Sequence, residues 1–435
     1  MGARETALNV LIACRKEGGW SNGVLKTYTV RDRLDRREAA LASRLCYGVL
    51  QNRLKLDFYL QQLLTGKVKD LHPAVRDILH LGLYQLLLMD KIPESAAVNE
   101  SVALTKKYCK KVRSAPALVN AVLRRAAAEN LTEPKSYVEK YSHPQALVDL
   151  LKTYVGKERL ERMLQANNEI APMTVQVNTL KTTAADLAAA LEHEGVSVAP
   201  HSWLVDCLVL SGTGNLEGLQ AFREGLFYVQ DPAAKLSVLC AQIPENARVL
   251  DCCAAPGGKS FAACIAMGGT GSVTSCDIHE HKIPLIENGA KRLGFENLTA
   301  QCHDGAVYNP AWCEAMDAVI ADVPCSGYGI IRKKPDIRYK DPDSMKQLPA
   351  LQLEILRNQS RYVKPGGVLL YSTCTLVRAE NEGVVEAFLA ENHDFTLEPL
   401  PLPAVFPQNE TGMLALVPGE YDTDGFFIAR LRKKL

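Results

Sequence analysis

The chain has 435 residues, 47% of them hydrophobic and 23% charged, which suits folded globular domains and excludes long low-complexity tracts. No stretch of membrane-spanning length is free of charge, and the thirteen cysteines, odd in number and never set as paired CxxC motifs, argue against a disulfide framework or a zinc site. The net charge of +1 hides an asymmetry: residues 1–140 carry 24 Lys and Arg against 14 Asp and Glu, a net of +10, and the remainder 26 against 35, a net of −9. The length implies two or three domains. A basic module joined to an acidic one points the first toward a polyanion, although a solvated helical surface explains the same fact about as well. The expected compartment is a reducing cytoplasm, with no signal peptide, no membrane and no metal. The start Met1-Gly2-Ala3-Arg4-Glu5-Thr6 fits a bare myristoylation pattern, but it continues as an amphipathic helix and is taken as chance.

In chain order, residues 1–130 read as helix after helix. Apolar residues recur at helical spacing over 5–13, 39–60, 75–88, 98–107 and 117–128, and Pro73, Pro93 and Pro116 fall at the breaks. Basic runs such as Lys110-Lys111-Val112-Arg113 and Arg124-Arg125 are the footprint of phosphate contact, or simply solvated faces. Residues 131–145 read as a linker. A small α+β module follows, with strands over 173–178, 204–210 and 225–230 around a helix at 184–192. From 246 the rhythm becomes strand–loop–helix: strands at 248–252, 271–276, 298–302, 317–321 and 368–374, with 425–429 as a late edge strand. Such alternation predicts a mostly parallel, doubly wound Rossmann-like sheet. The expected division is 1–140 helical, 141–235 linker helices and α+β module, and 236–435 catalytic.

In such a sheet the C-terminal strand ends form the ligand crevice. Here they carry the turn Ala254-Ala255-Pro256-Gly257-Gly258-Lys259, then Asp277, Asp304 and Asp322. The glycine turn lacks the spacing of either phosphate-binding loop. An acid ending the second strand suits ribose hydroxyls, so a nucleoside without phosphates, S-adenosylmethionine, fits. Each aspartate alone would be an ordinary helix cap; three in register with a glycine loop are less so. Cys325, in Asp322-Val323-Pro324-Cys325-Ser326-Gly327, and Cys374, after Ser372-Thr373, share that rim. Each alone reads as a small buried hydrophobe, but two thiols on one crevice suggest covalent attack on a ligand. A zinc deaminase is excluded, because Pro324-Cys325 lacks the second cysteine of that motif.

These stretches, together with Asp251-Cys252-Cys253 before the glycine turn, Lys333-Lys334-Pro335-Asp336 and Tyr371-Ser372-Thr373-Cys374-Thr375, resemble the motifs of the RNA cytosine-C5 methyltransferases, in their bacterial 16S rRNA branch. The N-terminal part is similar to the NusB family, most clearly at Leu118-Val119-Asn120-Ala121-Val122-Leu123-Arg124-Arg125. Val229-Gln230-Asp231-Pro232 and Asp424-Gly425-Phe426-Phe427 also fit. Tyr328 stands where leucine is usual, and 413–423 departs from the pattern. The resemblance implies Cys374 as nucleophile on carbon 6 of a flipped cytosine, Asp322 holding the base edge, and Cys325 assisting release. It implies Cys253, Ala254, Ala255, Pro256, Gly257, Gly258, Lys259, Asp277, Asp304 and Asp322 as the S-adenosylmethionine site, with Lys259 facing either RNA or Asp322. The implied substrate is 16S rRNA, naked or in early assembly, at cytosine 967, and the enzyme a monomer whose NusB-like part grips RNA or docks a protein. A tRNA or DNA cytosine methyltransferase, or an RNA-binding factor with an inactive catalytic domain, are the alternatives. DNA enzymes place the nucleophile in the Pro-Cys motif, which sets Cys325 against Cys374.

Overall fold

The computed structural model describes residues 1–17 and 21–435. They form two compact units, one of Met1–Lys152 with Ile331–Lys340, the other of Thr153–Ile330 with Asp341–Leu435.

The first unit is helical: α1 (Ala3–Glu17), α2 (Ser21–Arg31), α3 (Arg36–Leu63), α4 (Pro73–Leu87), α5 (Glu94–Tyr108), α6 (Ala115–Ala128), α7 (Tyr137–Lys140) and the first part of α8 (Gln145–Val155). Asp35 caps α3 by accepting from the Glu38 N–H, and Pro73 opens α4, where its missing donor costs nothing. Leu45, Val49, Leu79, Leu83, Val119 and Leu123 lie in one core. Gly48 lets α3 meet α4 closely; a Cβ there would collide with the Tyr84 ring. The short segment 331–340 enters this unit as a 3₁₀ turn, Pro335–Tyr339. Its buried Arg338 donates to the carbonyls of Gln51 (2.8 Å) and Ser142 (3.2 Å), Tyr339 donates to Leu50 O (2.7 Å), and Asp336 accepts from Ser21 Oγ (2.5 Å).

The second unit begins with the end of α8 and with α9 (Lys157–Ala166), then holds two sheets. The smaller comprises β1 (Met173–Val177), β2 (Ser197–Pro200), β3 (Cys207–Ser211) and β4 (Phe227–Val229), with α10 (Ala184–His193) and α11 (Gln220–Arg223). Its order is β2-β3-β1-β4, all antiparallel, and Val175, Val177, Leu187, Leu191 and Phe227 fill its core.

The larger sheet is built of α12 (Pro232–Ala241), β5 (Arg248–Asp251), α13 (Gly258–Ala266), β6 (Ser272–Asp277), α14 (Ile283–Leu293), β7 (Leu298–Cys302), β8 (Met316–Asp322), α15 (Leu348–Ser360), β9 (Val363–Thr373), α16 (Glu382–Glu391), β10 (Phe395–Leu397), β11 (Met413–Leu416) and β12 (Phe426–Lys433). The order is β10-β12-β9-β8-β5-β6-β7, with β11 also on β12. The run from β7 to β9 is parallel, as the strand–helix alternation predicts, and β12 joins it antiparallel. The expectation of an edge strand at 425–429 fails. β12 runs to Lys433 and lies inside the sheet between β9 and β10, with Phe426–Leu431 buried on both faces. The apolar run Phe426–Ala429 is what an interior strand requires, and the buried Arg430 that follows it is neutralised by Glu398 at 3.1 Å.

Candidate active site

Strands β5, β6, β8 and β9 end side by side at Asp251, Asp277, Asp322 and Thr373. The glycine turn leaves β5 and is fastened at once to its neighbours: Ala254 N–H donates to Cys276 O (2.7 Å) and Gly257 N–H to Ala254 O (2.6 Å). Gly257 has φ 109°, a conformation open to glycine, and a Cβ there would lie 2.5 Å from the Phe261 ring. Gly258 then begins α13. Ser260, on that helix, donates to Asp251 Oδ2 (2.7 Å). Burial pushes the Asp251 carboxyl up to about 7 against that bond.

The acids singled out from sequence differ in their surroundings. Asp277 is buried and accepts the N–H groups of His279 (3.0 Å) and Ala255 (3.3 Å), with Lys282 3.7 Å away, so it both caps its own turn and holds the glycine loop. Asp304 accepts from Ala306 N–H (2.9 Å) after β7, and Gly305 beside it nears Cys252 O, a built Cβ lying 3.5 Å off. Asp322 takes Lys259 Nζ at 2.5 Å on one oxygen and Ser372 Oγ at 2.8 Å on the other. Of the two partners the sequence left open for Lys259, the structure gives Asp322. Burial works against the lysine's charge, but Asp322 outweighs it and the net direction is upward; Asp251 and the nearby Cys374 add to the rise. The Phe426 ring lies 5.2 Å from the same ammonium.

Cys325 and Cys374 come together, their sulfurs 3.2 Å apart. Cys374 is held from behind, its carbonyl accepting from Gly329 N–H (2.9 Å), while Gly329 O accepts from Gly425 N–H (2.8 Å). The Cys325 thiol is pushed well up, first by its contact with the Cys374 sulfur and then by burial, with Glu380 and Asp322 adding to the rise. Two thiolates at this distance repel, which holds Cys325 in its protonated form; either sulfur can be the donor in the contact between them. Elsewhere burial is the largest cause that pushes Cys240, Cys264 and Cys276 up to about 12, with Asp251, Cys253 and Cys302 adding to it at Cys276, leaving them inert.

A further layer was missed in the sequence. Glu380, buried, accepts from Ser326 N–H (2.9 Å), Ser326 Oγ (2.6 Å) and Gln352 Nε2 (2.9 Å), and Gln352 also reaches Pro324 O (2.9 Å). Asn381 accepts from Thr373 Oγ1 (2.6 Å) and donates to Thr375 O (3.1 Å). These side chains clamp the residues on either side of both cysteines. Nothing local in Arg378-Ala379-Glu380 distinguishes this carboxylate.

Comparison with known proteins agrees with this architecture. Residues 238–432 match the family described as 16S rRNA methyltransferase RsmB/F, residues 1–128 the NusB family, and residues 143–217 the RsmF/B-like ferredoxin-like domain. The chain is 35% identical over 444 residues to the probable ribosomal RNA small subunit methyltransferase B of Bacillus subtilis, covering 99% of this chain and 98% of that one. It is 35% identical over 407 residues to ribosomal RNA small subunit methyltransferase B of Vibrio cholerae, covering 92% and 90%. Among solved structures, a methyltransferase homologue protein from Pyrococcus horikoshii is 27% identical with TM-score 0.58, covering 68% of this chain and 97% of its own. NSun6 from the same organism, solved with SFG, shares the fold at 20% identity and TM-score 0.59, covering 67% and 98%. With a NusB-like unit, a ferredoxin-like module and a Rossmann-like domain in that order along it, and relatives 35% identical over nearly all of its length, the chain belongs to the ribosomal RNA small subunit methyltransferase B family.

Proposed function

We propose that the protein methylates carbon 5 of a cytosine in 16S rRNA, using S-adenosylmethionine, through a transient bond between Cys374 Sγ and carbon 6 of the base. The observation that carries this reading is the cysteine pair 3.2 Å apart, beside a carboxylate paired with a lysine. Carbon 5 of cytosine is a poor nucleophile until the ring's aromaticity is broken. Addition of the Cys374 sulfur to carbon 6 does so and places an electron pair on carbon 5. Asp322 holds the N3 and N4 edge and stabilises the adduct, while Lys259 and Ser372 hold Asp322. After transfer, the carbon 5 proton passes to solvent water, its bonding electrons re-form the double bond, and the Cys374 sulfur departs from carbon 6 as a thiolate. Cys325, protonated against that sulfur, assists this release. Positioned acid–base help of this kind is worth ~100- to 10,000-fold.

S-adenosylmethionine, when bound, supplies the electrophilic methyl group. The residues present fit it: a glycine turn open to close backbone approach, α13 beginning at that turn, and acids ending β6 and β7. Cys253 to Lys259, Asp277, Asp304 and Asp322 would hold it. A stacked base hides carbon 6, so the target lies in a loop or single strand. The basic N-terminal residues supply backbone affinity rather than choice of base.

Cys374→Ala is expected to lose methyl transfer completely. Cys325→Ala is expected to stall after the bond to RNA forms, giving a covalent complex visible as a gel shift. Full turnover by the first variant would sink the reading, as would absence of the trapped complex in the second. Bisulfite sequencing of rRNA from cells lacking the gene identifies the nucleotide.

A further inference from the structure

The Gln230-Asp231 pair between β4 and α12 has a place in the fold that the mechanism above does not use. The Gln230 backbone belongs to the smaller sheet: its N–H donates to Thr174 O (3.3 Å), and its carbonyl accepts from Thr174 Oγ1 (3.0 Å) and Gln176 Nε2 (3.2 Å). Its side chain points the other way, against the glycine turn of the larger sheet. A Cβ built on Gly258 would lie 3.1 Å from Gln230 Nε2. The residue is 8% exposed, and its Oε1 is buried without a hydrogen-bond partner. A buried amide oxygen left unpaired is costly, so native structures rarely keep one without a use. Next to it, the Asp231 carboxylate caps α12 through Ala233 N–H (3.0 Å) and accepts from Asp424 N–H (3.3 Å). Asp424 precedes the Gly425 that pins Gly329, and through it Cys374. The backbone that carries the Gln230 amide is therefore fixed on both sides.

The amide stands at the first residue of α13, where backbone N–H groups favour an anion. S-adenosylmethionine carries one, the carboxylate of its amino-acid end, alongside an ammonium. With the ribose placed at Asp277, the glycine turn is left for that amino-acid end. A primary amide suits it, since its N–H donates to a carboxylate and its carbonyl accepts from an ammonium. Resting on the S-adenosylmethionine reading above, we propose that Gln230 is a further cofactor-binding residue that holds the amino-acid end of S-adenosylmethionine against the start of α13. The smaller sheet then contributes a side chain directly to the cofactor pocket, and withdrawing that sheet would weaken cofactor binding.

The test is calorimetry on the full chain with two ligands, S-adenosylmethionine and 5′-methylthioadenosine, which lacks the amino-acid end. Gln230→Ala should weaken S-adenosylmethionine about 10- to 100-fold, the loss of a hydrogen bond to a charged group, and leave 5′-methylthioadenosine unchanged. Gln230→Glu, the same size but negative, should weaken S-adenosylmethionine at least as much and again spare 5′-methylthioadenosine. Equal loss of both ligands would mean a collapsed pocket and overturn the proposal, and so would unchanged binding of S-adenosylmethionine. A wild-type chain that binds neither ligand would instead overturn the cofactor reading itself, and this proposal with it.

Discussion

At the residue scale the chemistry rests on distances the sequence only partly foretells. Cys325 and Cys374 are 49 positions apart, yet each ends or follows a strand in a parallel sheet, so strand-end logic puts them on one rim. Which cysteine attacks follows from the family resemblance, not from spacing. Glu380 was not legible at all. A carboxylate becomes a hub only when three donors from distant segments converge on it, and no local pattern encodes that convergence. Removing it orphans the donors of Ser326 and Gln352, so Glu380→Ala should cost about 2–4 kcal/mol in urea unfolding. It should also lower kcat more than it raises KM, since Ser326 adjoins Cys325. Glu380→Gln, which keeps an acceptor, should recover part of both losses. Unchanged stability in Glu380→Ala would refute the hub.

At the element scale, the strands and the N-terminal helices were readable, buried ones included, but one buried helix was not. α12 passes unnoticed in the sequence because most of its residues are buried and its exposed one, Leu239, is apolar, leaving no polar face to set a period. β12 was recognised as a strand but misplaced, since sheet order depends on partners rather than local residues. α12 also contains Lys235, 6% exposed and lining a cavity of about 340 Å³ with Trp203, Asp206 and Leu239. Burial pushes its ammonium down to about 8 from 10.5. Below about pH 8 both folded and unfolded states hold the proton, and the folded state bears the whole cost of the buried charge. As pH rises from about 8 toward 10.5 the folded state sheds the proton first, so that cost fades and stability rises. Lys235→Met should therefore gain about 1–3 kcal/mol at pH 7 and flatten this rise, measured as urea midpoints at pH 7 and 9.5. A loss of stability at pH 7 would contradict the assignment.

At the scale of the whole molecule, the charge asymmetry predicts how RNA is held. Lys110, Lys111 and Arg113 follow α5, exposed, in a region whose net charge is +10. Changing all three to Glu should weaken binding to any RNA by a similar factor and lower the salt slope of the affinity by up to about 2. A loss confined to one RNA sequence would show base reading there instead. The two-unit division was the least legible feature, because the first unit is not one stretch of chain. Ile331–Lys340 belongs to it, although the sequence around that segment reads as part of the catalytic domain. This bears on how the protein is made. Synthesis runs from the N-terminus, and early domains ordinarily fold as they emerge. Here the helices of the first unit leave the ribosome long before Arg338, whose guanidinium fills the carbonyls of Gln51 and Ser142. The first unit to be translated is thus among the last to be completed, and a chain stalled before residue 331 should carry a nascent bundle that proteases cut more readily than the finished one.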